Sequence, residues 1–371
     1  MHLPPFAIER FFARHEFSAP YLLCASDLEA FGQQDLLAMA DQECLALWQG
    51  LKLGYTETLG HPLLRTEIAS LYPGVRSDEV LVANPEEAIF LFAQAVLGPG
   101  DHAVAIWPAF QSLHEVARST GAEVSLVKLS HDQKWALDLE TLRSAVRPNT
   151  RALIINFPHN PTGALLSPDG LEAVIGIARE AEAYLFSDEV YRLLEYDAAT
   201  RLPAAVSRYE RAVSLSAMSK AFGMGGLRIG WVVTHASEVL QRMVELKDYT
   251  SICSSAPSEV LALMGLRARE RVLARNLGLL RENLARVDRL FEEFSDTFEW
   301  VRPKAGSIGF PRLLTGESPE RFAQELVERE GVMLLPGSVY GYPDPHFRLG
   351  LGRRNLPEAV ERLERFVRAR R

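Results

Sequence analysis

Cysteine is scarce: 371 residues hold only three, Cys24, Cys44 and Cys253, with no C-x-x-C pair and no even set to build a disulfide framework. That count predicts a reducing compartment, with the cytoplasm as the expected location. Basic runs are scarce too. The formal net charge is −8, and the only arginine cluster, residues 365–371, reads as the solvated end of a last helix. Nucleic acid is therefore not an expected partner. No window approaches the roughly 18 uninterrupted apolar residues of a membrane span. The opening MHLPPFAIERFFARHEF carries charge throughout, without the apolar core of a signal peptide. Internal repeats and low-complexity linkers are also lacking.

What is present is the pattern of a large α/β protein. A length of 371 residues suits two domains rather than one small core. From residue 80 to residue 231 short apolar runs alternate with helical stretches: VLVA, HAVAIW, EVSLVKL, ALIINF, AYLFSD, AVSLS and RIGWVVT. β-Branched and aromatic residues dominate these runs, and Gly, Pro, Asn or Asp bound them. Helical patterns lie between several, at residues 86–97 and 168–182 for example. This rhythm predicts a doubly wound, mostly parallel sheet with helices on both faces. Beyond Pro257 a helical stretch is expected over residues 258–294. Strand-like pieces follow at 299–302 and 307–312, then a helix from Pro319 capped by Ser318. VMLLPG, HFRLGL and a helix from Pro357 complete a smaller α/β domain. The expected division is an N-terminal arm with part of the small domain (1–45), a large domain (46–257), and an interdomain helix with the C-terminal small domain (258–371).

The strongest local signal is SLSAMSKAFGMGGLRIGW, residues 214–231. An isolated lysine is ordinarily a solvated cation. Lys220, however, has Ala217, Met218, Ala221, Phe222 and Gly223 around it. Desolvation depresses an amine pKa and frees the lone pair for Schiff-base chemistry. Upstream, NFPHNPTGALLS holds a turn after a strand, and SDEVYRLLEY places Asp188 where a strand ends. An acid there can be a helix N-cap, but ligands of open α/β sheets also gather beyond the strand carboxyl ends. In HFRLGL the alternation puts Arg348 in mid-strand, either on the surface or able to grip a carboxylate bidentately.

The lysine stretch resembles the segment S-K-x-x-x-x-x-G-x-R-x-G of fold-type-I pyridoxal-phosphate (PLP) aminotransferases, the aspartate aminotransferase family. The resemblance runs from about Tyr55 to Gly352. It implies that Lys220 holds PLP as a Schiff base and shuttles protons, while Ser219 and Arg228 bind the cofactor phosphate. Asn160, in the N-P-T-G turn, and Tyr191 would donate to the cofactor's phenolic oxygen. Asp188 would hold the pyridine nitrogen protonated, so that the ring accepts electrons from a breaking Cα bond. Phe110, in WPAFQS, would stack on the ring, or else be an ordinary core residue. Asn84, Pro85 and Glu86 stand where a strand runs into a helix whose N-terminus would cradle the phosphate. The family carries a small glycine-containing turn there; here Pro85 removes one N–H and Glu86 adds a carboxylate.

GYTETLGHPLLRTEIASLY resembles Y-x-x-x-x-G-x-x-x-L-R, which implies that Tyr55 reaches the phosphate of a partner subunit in a homodimer with shared active sites. Arg65 would have a structural role, and a core tyrosine in a turn is the other reading of Tyr55. VMLLPGSVYGYPDPHFRLGLG resembles V-x-x-x-P-G-x-x-F-G followed by a strand whose arginine, Arg348, binds the substrate α-carboxylate together with Asn160. The implied partners are an α-amino acid and a 2-oxo acid, and no metal is called for. NFPHNPTGA, KDYTSICSS and GSIGFPRL further resemble capreomycidine synthase and its relatives, PLP enzymes that cyclise a modified arginine. Transamination ranks first because Asp188-Glu189-Val190-Tyr191 is kept; elimination, replacement or cyclisation on the same cofactor is the alternative. A PLP-sensing regulator would need an N-terminal helix-turn-helix of roughly sixty residues, and about fifty precede Tyr55. Residues 25–27 and 252–254 are expected around the substrate side chain.

Overall fold

The computed structural model describes residues 2–371. Seven strands form the main sheet: β1 (Val80–Ala83), β2 (His102–Trp107), β3 (Glu123–Lys128), β4 (Thr150–Asn156), β5 (Tyr184–Asp188), β6 (Ala212–Ala217) and β7 (Gly230–Thr234). Their spatial order is β1-β7-β6-β5-β4-β2-β3. The pairs β2–β3, β2–β4, β4–β5 and β5–β6 are parallel, whereas β7 is antiparallel to both β6 and β1. The sheet is thus mixed but mostly parallel, as expected.

Burial follows from the covering of both faces. Ala103 and Ala105 of β2 face one core while Val104 and Ile106 face the other, and Ile154 and Leu153 of β4 divide likewise. Period-2 alternation thus splits apolar from apolar, which is why these strands read as continuous hydrophobic runs. The edge strand β3 is the exception, with Glu123, Leu126 and Lys128 exposed, and a charged edge resists pairing with another chain. Helices Pro85–Val96, Ser112–Ser119, Leu139–Ala145 and Pro168–Glu180 connect the strands. Asn84 caps the first, its side chain accepting from Glu86 N, and Ser167 caps the last through Gly170 N.

Three differences from the sequence reading have local causes. The expected helix over 258–294 is two, Ala256–Arg267 and Arg269–Glu293, with Ala268 between them at ψ 11°. Alanine favours helix, so tertiary contacts accompany the break: Arg267 pairs with Asp41 and Glu43, and Arg269 with Glu67. The strand-like pieces after Phe298 shrink to two-residue ladders. β7 starts at Gly230 rather than Arg228, because Arg228 is left-handed at φ 55°. The helix Pro319–Glu330 does begin at Pro319, with Ser318 accepting from Arg321 N.

Two glycines permit close approaches that matter for the site. A Cβ on Gly230 would lie 2.8 Å from Pro85 Cγ, so only glycine lets the N-terminus of helix Pro85–Val96 sit against β7. A Cβ on Gly350, in strand Phe347–Gly350, would meet Ala25 O at 2.1 Å. There the Gly350 N–H donates to Leu23 O, drawing residues 23–26 alongside the strand of Arg348.

Candidate active site

Strand direction gathers the chemistry at one edge of the sheet. β2, β4, β5 and β6 run parallel, and β1 runs the same way because it is antiparallel to β7, itself antiparallel to β6. Their carboxyl ends deliver Phe110, Asn160, Asp188, Lys220 and Asn84 to one side. β7 runs oppositely, so Arg228, just before it, reaches the same edge. A cavity of about 760 Å³ opens there. It is lined by Phe110, Asn160, Asp188, Tyr191, Ser219 and Lys220, and by Pro85, Glu86, Arg228 and Arg348.

Lys220 is half-buried, and its Nζ donates to Ser26 Oγ at 2.9 Å. Burial pulls its pKa down to about 8, against the raising field of Asp27. A surface-cation reading is thereby excluded. Asp188 is buried at 5 % exposure, and burial pushes its carboxyl up to about 7. Its Oδ1 accepts from Val190 N at 3.2 Å, but residues 190–193 form a turn and no helix, so the carboxyl tightens a turn rather than capping a helix. Among the described residues that backbone N–H is its one hydrogen-bond donor, and no cationic side chain bonds it. Asn156 stitches the two loops together: its Nδ2 donates to Asp188 O and its Oδ1 accepts from Asn160 N.

Arg348 is 2 % exposed, with Nε donating to Cys24 O at 3.0 Å and Nη1 to the Tyr340 hydroxyl at 2.7 Å. Tyr191 is buried, its hydroxyl donating to Ser26 O at 3.4 Å, and burial pushes its pKa up to about 12. At the other end of the cavity Arg228 Nη2 donates to Asn84 Oδ1 at 3.1 Å, beside the helix N-terminus. Glu86 turns to Ser112, whose hydroxyl donates to Glu86 Oε2 at 2.6 Å; burial raises the Glu86 pKa. Phe110 lines the cavity with its ring centroid 5.1 Å from that of Phe6.

The residues fit PLP. A desolvated amine, a buried carboxylate without a cationic partner, and a helix N-terminus with an arginine line one cavity. A protonated ring nitrogen is the charge the Asp188 site lacks, and a phosphate suits Arg228 and the helix end.

Several expected residues do not line the cavity, Asn84 among them, although Arg228, which does, bonds to it. Tyr55 is 90 % exposed, which excludes the core-tyrosine reading and leaves it apart from this chain's own site. Arg65 is structural: Nε donates to Gly60 O, Nη1 to Ser77 O, and Glu57 pairs with it. Of the two segments expected around a substrate side chain, Ser26 lines the cavity, whereas residues 252–254 do not. Ile252, held at φ 65°, is 48 % exposed. Sequence reasoning missed Tyr340, whose signal was a tyrosine where the quoted pattern has phenylalanine. It also missed the helix Ala7–His15, which brings Ile8, Glu9 and Phe12 to the cavity wall. The amphipathic run of that segment was readable, but its docking was not. Gln111 clips it, Oε1 accepting from Ala7 N and Nε2 donating to Pro5 O.

Residues 21–363 match the family model for aminotransferase class I and II, so the chain belongs to that family. It is a PLP-dependent aminotransferase of fold type I, which moves an amino group between an α-amino acid and a 2-oxo acid, both small molecules. It is 28 % identical to capreomycidine synthase of Streptomyces vinaceus, over 85 % of this chain and 82 % of that one. Identity reaches 36 % with a probable N-succinyldiaminopimelate aminotransferase of Mycobacterium tuberculosis, covering 71 % of this chain and 68 % of that one. A PLP-dependent aminotransferase from Streptococcus suis superposes with TM-score 0.93 at 31 % identity, covering 100 % of this chain and 99 % of that one. Among the described residues no helix is long and apolar enough to cross a membrane, and no cluster of His, Cys, Asp and Glu could hold a metal.

Proposed function

We propose that Lys220 is the residue that carries the cofactor and moves the protons of transamination, with the other cavity residues holding cofactor and substrate around it. The observation that carries this is a single cavity lined by the depressed Lys220 amine, the buried Asp188 carboxyl and the buried Arg348 guanidinium. When bound, PLP supplies an electron sink for the pair left as a Cα bond breaks. Asp188 keeps the ring nitrogen protonated, and Asn160 and Tyr191 donate to the phenolic oxygen. Arg228, Ser219 and the helix end at Asn84, Pro85 and Glu86 hold the phosphate, and Phe110 covers the ring. Arg348 grips the substrate α-carboxylate, a planar donor pair against a planar acceptor pair. Lys220 Nζ, on the wall of the same cavity, would be the group that accepts the substrate Cα proton and gives it back on the cofactor side. An amine near neutrality suits both directions of transfer.

The finer reading is a cytoplasmic homodimer with shared sites, in which Tyr55 reaches the partner's phosphate. Its exposure supports this, with Leu53, Tyr249 and Ile252 exposed as well. Residues 1–45 serve as arm and part of the small domain, 46–257 as the large cofactor-binding domain, and 258–371 as interdomain helix and C-terminal small domain. A second reading, cyclisation or elimination on the same cofactor, is supported by the 28 % identity to capreomycidine synthase over 85 % of the chain. It would use the same Lys220.

Borohydride reduction of the yellow holoenzyme followed by peptide mapping tests the assignment, the label being expected on Lys220 and lost in Lys220→Ala. A label on any other peptide refutes it. A panel of amino acids scored for conversion of the bound cofactor to its amine form, with analysis of products, separates the two readings: an oxo acid formed together with the amine form of the cofactor and without ammonia means transamination, whereas an oxo acid with free ammonia, or a ring product, means elimination or cyclisation.

A further inference from the structure

Between the two ends of the substrate region lies a hydroxyl that bonds to both. Tyr340 OH sits 2.7 Å from Arg348 Nη1 and 3.0 Å from Asn160 Oδ1, and Tyr340 is buried. Tyr340 closes the short helix Gly337–Tyr340, just before Gly341 at φ 71°. Its ring packs edge-on against Phe310 at 5.9 Å, and its carbonyl accepts from Trp107 Nε1 at 3.1 Å. The hydroxyl is therefore carried on a side chain with little freedom to move.

Proton directions follow from what each group can do. A guanidinium has only donors, so the tyrosine oxygen must accept from Arg348. The tyrosine proton is then available to Asn160, whose Oδ1 is the acceptor. The opposite amide orientation would set the Asn160 NH2 against the tyrosine oxygen and strand the O–H proton in a buried place, which is costly. Burial keeps this hydroxyl a donor throughout the working range by pushing its pKa up to about 12. Asn160 thus has its oxygen turned away and its NH2 left for the cavity it lines. Arg348, with Nε on Cys24 O and Nη1 on Tyr340, keeps its remaining N–H groups for a carboxylate.

We infer that Tyr340 is a positioning residue that sets the amide orientation of Asn160 and couples it to the carboxylate-binding Arg348. The inference rests on the proposed roles of Asn160 and Arg348. Tyr340 stands where the pattern quoted for this segment has phenylalanine, so the coupling hydroxyl is a feature of this chain. A carboxylate on Arg348 shares the guanidinium with the tyrosine oxygen, and so is sensed through the Tyr340 hydroxyl at Asn160.

The test is the pH titration of the visible cofactor band in the holoenzyme of Tyr340→Phe. Without the hydroxyl, Asn160 is free to flip, the phenolic oxygen loses a fixed donor, and it holds the proton shared with the Lys220 nitrogen more tightly. The midpoint should rise by about half a pH unit or more. KM for amino acid and oxo acid should rise about tenfold, reflecting a lost hydrogen bond to a charged group. In an Asn160→Ala background the same substitution should leave the midpoint where Asn160→Ala alone puts it. A Tyr340→Phe holoenzyme with the native midpoint, or one whose shift persists without Asn160, overturns the inference. A native protein with no titrating visible band overturns the proposed function, and this inference with it.

Discussion

Lys220 Nζ donates to Ser26 Oγ across 2.9 Å, a contact between residues 194 positions apart. It joins the turn after β6 to the segment that runs beside the strand of Arg348. That segment is stitched in further by Ser307 Oγ donating to Ser26 O at 2.6 Å. The nucleophile and the carboxylate-binding arginine are therefore held in one frame. A lysine held by a neutral hydroxyl, rather than by a carboxylate, keeps the low pKa that burial confers.

Asp188 should make the cofactor-free protein less stable as pH rises. Its carboxyl is raised from 3.8 to about 7 by burial, so between those values the folded state holds a proton that the unfolded state has lost. Stability from this group is fully present below the unfolded value and is lost as pH climbs through about 7. Asp188→Asn should flatten that slope in the apoprotein, as read from urea midpoints across the range. In the holoenzyme the same change removes the partner of the ring nitrogen, and turnover should fall by several kcal/mol in barrier, roughly 10³-fold. Near-native turnover would refute the role.

Glu86 should weaken cofactor binding as pH rises and its carboxyl ionises. Its carboxyl, raised by burial, lines the cavity near Arg228 and the helix end that suits a phosphate. Once ionised it repels that phosphate. Glu86→Gln keeps a hydrogen-bonding partner for Ser112 and removes the charge. The variant should bind PLP about tenfold tighter where the native carboxyl is ionised and show a flatter pH dependence, measured by quenching of protein fluorescence on cofactor addition. Weaker binding in Glu86→Gln at high pH would show that the carboxylate helps rather than hinders.

Tyr55 should matter only across a dimer. Mixing inactive Lys220→Ala protein with inactive Tyr55→Ala protein should restore part of the activity. One hybrid site then combines the intact lysine of one chain with the intact tyrosine of the other. Each variant must be folded and the dimers must exchange during the assay, which light scattering and labelled-chain exchange can verify. A fully active monomer, or no recovery on mixing once exchange is verified, would rule out the shared site.

Much of this molecule was legible one segment at a time. The seven strands, the cap at Ser318, and the places of Asp188 at a strand end and of Lys220 after a strand follow from short-range patterns, namely apolar runs, turn residues and a lysine in small, apolar company, while Asn160 was marked by the family resemblance. Such signals are local because backbone sterics and strand alternation act over a few residues. The break at Ala268, the docking of helix Ala7–His15 over the cavity, and the bonds of Ser26 and Tyr340 carried no such signal. Each depends on partners far away in sequence, brought together by the folding of other segments. The approach of residues 23–26 shows why: it needs Gly350 to lack a side chain, and nothing near Ser26 in the sequence records that condition. A hydrogen bond's direction, like that from Tyr340 to Asn160, is set only when every neighbouring donor and acceptor has been assigned its place.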